Sequence, residues 1–248
     1  MGTIIKKQLS DHIWLLDDKG DSTGFVVIGS EKAMVIDTMN GSENVYDVVR
    51  SITDLPLILV NTHGHPDHIG GNHFFDETYI NERDLDMIDT FSSPEAKKHL
   101  PEVNLIKEGD TFNLGGLTIS TYELPGHTAG SILLLLEEDR ILFTGDAINH
   151  HLWMQLDGCA SLSDTLKNLE RLDFLKDKAD RILHGHTKDF DNIELFSQLE
   201  EGIRDLVNQK ATEITDKDPD YHWFGGIAKQ HPFDNRGSVI CYQANNIK

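Results

Sequence analysis

The chain has 248 residues, 38% hydrophobic and 26% charged, which is enough for one large domain with a substantial core. Its 42 acids against 22 bases leave a formal net charge of −20, which argues against nucleic acid or an anionic membrane as partner and favours divalent cations. The longest apolar run, at 131–138, is far short of a membrane span, and the start lacks the apolar stretch of an export signal. Two cysteines, Cys159 and Cys241, are too few for a disulfide framework, so the expectation is a cytoplasmic protein with both thiols buried as small hydrophobes.

In chain order, apolar segments near the start and at 12–17, 23–29 and 32–37 predict strands, the last two joined by the short loop Ser30-Glu31. Ser42 as N-cap, with Val45, Val48, Val49 and Ile52 at helical spacing, predicts a helix over 42–52. The continuous apolar run 56–61 predicts a fully buried strand. A short strand near 78–80 and a helix over 81–91 follow. Residues 92–110 are polar, with two prolines and weak periodicity, and read as a surface excursion that with Phe91 could form a lid.

Strands over 111–114 and 117–124 flank Gly115-Gly116, and strands over 131–138 and 140–146 flank Asp139. Ser161 caps a helix over 161–175 that carries Leu162, Leu166, Leu169 and Leu172 on one face. A strand over 179–186 and a long helix near 191–210 come next. The tail 218–243 is aromatic and loop-rich, with one final strand. The order suggests a single domain, 1–248, with two similar halves at about 1–110 and 111–248. Two sheets face to face with helices outside would satisfy it.

The chemistry concentrates in NTHGHPDHIGGNH, residues 61–73, directly after the buried strand 56–61. Four imidazoles in so short a stretch serve stability poorly, because neighbouring imidazoles repel when protonated. Metal ligation is the obvious use. Other strand ends carry LPGHT (124–128), FTGDA (143–147), LHGHT (183–187) and VIDT (35–38). Loops at one sheet edge can bring such residues to a common point. The ligand candidates are His63, His65, Asp67, His68, His127, Asp146 and His186. They exceed one tetrahedral ion and suit two, with one carboxylate between them. Imidazole and carboxylate donors suit zinc, and also iron or manganese.

Around these, Asp37 could accept from a ligating imidazole or serve as a turn or cap residue. His184 could support His186 or belong to the core, and His73 could face solvent or cap a turn. His150, His151, Trp153 and Met154 follow Asp146, and His222, Trp223 and Phe224 form a second aromatic cluster. Both groups could line a pocket for a small organic substrate.

In order, HGHPDH, PGHT, TGD and HGH resemble the metallo-β-lactamase superfamily, over about Asp37 to His186. The resemblance implies an α/β fold, an αββα sandwich of two mixed β-sheets with flanking helices and the metals at one edge. It implies that His63, His65 and His127 hold one ion, that Asp67, His68 and His186 hold the other, and that Asp146 bridges. Asp146 stands where the best-known zinc β-lactamases have cysteine, and His65 where flavo-diiron proteins have glutamate. The pattern is therefore similar to glyoxalase II and the lactonases, although the short acidic tail does not match glyoxalase II's basic helical domain. The implied activity is hydrolysis of an ester, thioester, lactone or amide of a small molecule by a metal-bridging hydroxide, with Asp67 and Asp146 as catalytic groups. The alternatives are a mononuclear-iron persulfide dioxygenase and a non-catalytic metal- or ligand-binding module. A homodimer is allowed by the sequence.

Overall fold

The computed structural model describes residues 4–19, 22–209, 217–222 and 226–248. Its first sheet has seven strands among the described residues, in spatial order of sequence: β1 (Ile5–Gln8), β2 (Ile13–Asp17), β3 (Thr23–Ile28), β4 (Ala33–Ile36), β5 (Leu57–Val60), β6 (Glu77–Asn81) and β7 (Glu102–Ile106). The first four pair antiparallel and the rest parallel. The second sheet runs β14-β13-β11-β10-β9-β8, with β8 at Thr111–Asn113, β9 at Thr118–Glu123, β10 at Ile132–Leu136, β11 at Ile141–Gly145, β13 at Arg181–His184 and β14 at Asp191–Asn192. A third sheet sets β12 (His151–Met154) beside β17 (Val239–Tyr242), then β16 (Ile227–Pro232) and β15 (Asp220–His222). The helices are α1 (Val45–Arg50), α2 (Pro66–Ile69), α3 (Leu85–Phe91), α4 (Leu162–Arg171), α5 (Leu175–Lys178) and α6 (Glu194–Asn208).

The layering follows from the period-2 alternation of strand side chains. In β3, Phe25 and Val27 face the second sheet while Val26 turns toward α1. In β10, Ile132, Leu134 and Leu136 meet the first sheet, and Leu133 and Leu135 meet the α4–α6 layer. Both faces of the central strands are thus covered, which is why IleLeuLeuLeuLeu in β10 is buried throughout. Helix, sheet, sheet and helix stack in that order, the expected αββα sandwich. No helix among the described residues is long and apolar enough to cross a membrane.

Three local expectations are corrected. Residues 92–110 are not all excursion: β7 pairs in parallel with β6, and a 3-10 turn spans Ala96–His99. As an edge strand, β7 exposes Leu105 and buries Ile106, so its apolar pattern is weak. The tail supplies three strands, not one, because polar Lys229, Gln230 and His231 in β16 are held by backbone pairing to the buried β17. The first helix is capped by Asn44, whose Oδ1 accepts from the Asp47 N–H at 3.2 Å, and not by Ser42.

Candidate metal centre

Each ligand loop leaves the end of a strand. β5 runs into Asn61, Thr62 and His63; β9 is followed by His127, β11 by Asp146 and β13 by His186. His65 stands at the N-terminus of one-turn α2, so Asp67 and His68 turn away from the His63–His65 pair. A buried polar floor fixes α2. Asn61 Nδ2 donates to the His68 carbonyl at 3.1 Å, Asn72 donates to Asn61 at 2.7 Å, and Thr38 donates to Asn72 at 2.7 Å. Gly70 lets this turn press on the 39–40 backbone, where an added Cβ would lie 2.4 Å from the Asn40 carbonyl carbon.

The seven expected side chains converge in two groups. His63, His65 and His127 form one, with His65 Nδ1 and His127 Nε2 only 2.8 Å apart. Asp67, His68, Asp146 and His186 form the other. His68 Nε2 lies 3.5 Å from both Asp67 and Asp146, and His186 Nε2 lies 3.0 Å from Asp146 Oδ2. The same Asp146 oxygen is 3.8 Å from His127 Nε2, so this carboxylate spans both groups.

The donor atoms fit metal ions by a proton argument. His127 donates Nδ1–H to the Trp153 carbonyl at 2.7 Å, and His68 donates Nδ1–H to Asp37 at 2.9 Å. The Thr62 hydroxyl donates to Asp37 at 2.7 Å and therefore accepts from His63 Nδ1–H at 3.1 Å. Each of these three rings spends its proton on the far side and aims a bare nitrogen at the common point, as ligating histidines do. His63 Nε2, His68 Nε2 and Asp146 Oδ1 are buried without any hydrogen-bond partner, a costly arrangement that a cation would relieve.

Electrostatics agree for the group of His63, His65 and His127. Burial, then the neighbouring imidazoles, pushes His63 well down, and the same causes take His65 down to about 3. Burial also lowers His127, against the pull of Asp146. These three rings are neutral near neutral pH, as ligation requires. Burial pushes His68 down too, but Asp67, Asp146 and Asp37 outweigh it and raise it. Asp146 sits well below the usual carboxylate range, because His186 and His68 overcome its burial.

Asp37 ends β4 at a φ of 60° and caps no helix; it accepts from Thr62 N–H, Thr62 Oγ1 and His68. His184 is buried, and its Nδ1 accepts the His186 amide at 3.3 Å. His73 donates Nδ1–H to the Gly70 carbonyl at 3.0 Å, capping the α2 turn. His150 and His151 border a cavity of about 380 Å³ with His184, His186, Lys188 and Asp191. Met154 does not line a pocket: strand alternation in β12 sends it with Leu152 into the core under α4 and α6. Trp153, half-buried, contributes its carbonyl. His222 is exposed on β15, three strands from β12; Trp223 and Phe224 lie outside the described residues. Cys241 is buried, whereas Cys159 is only partly so, with its Sγ 3.1 Å from the His127 carbonyl and burial pushing the thiol up to about 12.

One residue went unread in the sequence. Asp84, buried just before α3, accepts from Gly64 N–H at 3.0 Å, Thr128 Oγ1 at 2.7 Å and Gly130 N–H at 2.7 Å. It ties the loop of His63 and His65 to the loop of His127. Nothing in NERD distinguishes it from a surface acid.

The family model of the metallo-beta-lactamase superfamily matches residues 17–186. The chain belongs to the metallo-β-lactamase superfamily, and the hydrolase class expected for it stands with that membership. Among curated relatives of this superfamily member, the human acyl-coenzyme A thioesterase MBLAC2 is 26% identical over 232 residues, covering 77% of this chain and 83% of the relative. Hydroxyacylglutathione hydrolase 1 of Vibrio vulnificus is 26% identical over 219 residues, covering 87% and 76%. A metallo-beta-lactamase from Pontibacter korlensis superposes with a TM-score of 0.67 at 22% identity, covering 83% of this chain and 100% of that one, a likeness of fold.

Proposed function

We propose that this superfamily member is a dinuclear metallohydrolase that cleaves thioesters, or closely related esters, of small acyl compounds. The observation that carries the reading is Asp146, a single buried carboxylate within reach of both ligand groups. The names of the thioesterase and hydroxyacylglutathione hydrolase relatives support the thioester class. His63, His65 and His127 would hold one ion and Asp67, His68 and His186 the other, with Asp146 between. The donor set suits zinc, with iron or manganese as substitutes. When bound, the ions supply Lewis-acid polarisation of the scissile carbonyl and bring the pKa of water toward neutrality.

The chain's own residues do the rest. Asp67, with its side chain 29% exposed and Oδ2 3.7 Å from His186 Nε2, is placed to take the proton of the attacking water and return it to the leaving group. Asp37 and the Trp153 carbonyl keep His68 and His127 in the tautomers that ligation needs. Phe91, its ring centroid 6.2 Å from that of His65, offers an apolar wall at the mouth. Both larger sheets contribute ligands, so the chain acts as one catalytic domain.

The test combines metal content by mass spectrometry with turnover of acyl-CoA, hydroxyacylglutathione, lactone and β-lactam substrates. About two equivalents with thioester turnover, lost about 10²-fold or more in D67A and H127A, is the expected result. One equivalent of iron with oxygen uptake on a persulfide would replace it with the dioxygenase reading, and bound metal without any turnover would leave a binding module.

A further inference from the structure

Outside the seven side chains of the metal centre, the described residues hold one more cluster with ligand-like spacing: His150, His184 and Asp191. It lies at the wall of the 380 Å³ cavity. His150 Nε2 is 3.0 Å from Asp191 Oδ1, and His184 Nε2 is 3.2 Å from Oδ2. The hydrogen bonds fix where the protons are. Ser238 donates its hydroxyl proton to Asp234 at 2.6 Å, so it can only accept from His150 Nδ1, 2.7 Å away. His150 therefore donates from both nitrogens, as an imidazolium. His184 Nδ1 accepts the His186 amide proton, so the single proton of His184 sits on Nε2 and points at Asp191.

That tautomer argues against a third metal. An ion on His184 Nε2 would force the proton to Nδ1, against the His186 N–H. The rings of His63, His68 and His127 show the opposite arrangement, with the far nitrogen donating. The cluster works as a clamp instead. Its target is the loop that presents His186, whose side chain is 37% exposed while those of His68 and His127 are at most 2% exposed. Asp191 reaches the backbone of that loop through His184, which precedes His186, while the Thr187 hydroxyl after it donates to the Asp189 carbonyl. The loop has no slack, since a Cβ on Gly185 would lie 2.4 Å from His68 Cε1 and 2.6 Å from Asp146 Oδ1.

We infer that Asp191, gripped by His150, is a positioning residue: it sets the tautomer of His184, which holds the His186 amide and so fixes the last ligand of the second ion. The inference rests on the dinuclear reading above. Asp191 touches no reacting atom; it acts through His184.

Cobalt(II) titration of the metal-stripped full chain, followed by visible absorption, tests it, with H186A marking the step that belongs to the second ion. Wild type should bind two ions. D191N sets an amide N–H₂ against one of its two donors, so second-ion affinity should fall about 10–100-fold while first-ion affinity stays within about twofold. H184N provides the internal check, because its side-chain oxygen accepts the His186 amide in any protonation state. It should keep the second ion, and D191N added to it should cost nothing further, a masking that a merely structural Asp191 would not show. This pair also keeps the test decisive if D191N alone folds poorly. Unchanged second-ion affinity in D191N, or an additive loss in the double variant, overturns the clamp. A third ion in wild type that D191N abolishes would overturn it in favour of a metal site. Fewer than two ions in wild type would overturn the dinuclear reading first, a failure visible before any variant is made.

Discussion

Asp84 and His127 illustrate what a single residue can and cannot announce. His127 was legible because PGHT at a strand end fixes both residue type and place, and metal chemistry admits few side chains. Asp84 is one carboxylate among 42 acids, and its role exists only where two distant loops meet. The same holds for Asp191. D84A would leave two backbone N–H groups and a hydroxyl buried without their acceptor, so it should cost about 2–5 kcal/mol of unfolding free energy, read by urea denaturation. His150 makes a pH prediction. The hydrogen bond to Asp191 raises it above 6.5, so the stabilisation is fully present below that value and fades as pH rises through the raised pKa. Stability of H150Q, followed by chemical denaturation across that window, should lack this alkaline decline.

At the scale of elements, strands buried on both faces were the easiest to read. β10 and β5 present apolar runs because a helix layer and a partner sheet cover them. β7 and β15 were unread because edge strands draw stability from backbone pairing on one side, and β16, paired on both sides, because its side chains keep no alternation. α4 was legible from both its leucine stripe and its cap: Ser161 Oγ accepts the Asp164 N–H at 3.1 Å. S161A should lower stability by about 1 kcal/mol, visible as a shift in urea midpoint with unchanged slope.

Across the whole molecule, the candidate metal ligands come from loops of both large sheets, with His63 and His65 after β5 and His127 after β9. Bound ions would therefore stitch the sandwich as well as serve chemistry. Each site held at about 100 times its Kd should add about 2.7 kcal/mol, so chelation should lower Tm steeply and re-addition restore it, as calorimetry would record. The net charge of −20 acts on the same scale, since the cations that the composition favours are those the strand-end histidines would receive.

Among the described residues β12 has a single strand neighbour, β17, and its Trp153 carbonyl takes the proton of His127. During synthesis, the backbone of the stretch that supports His127 therefore has no strand to pair with until β17 emerges from the ribosome, after every candidate ligand has been made. The nascent chain carries all seven candidate ligands before the strand that pairs with β12, whose Trp153 carbonyl accepts from His127.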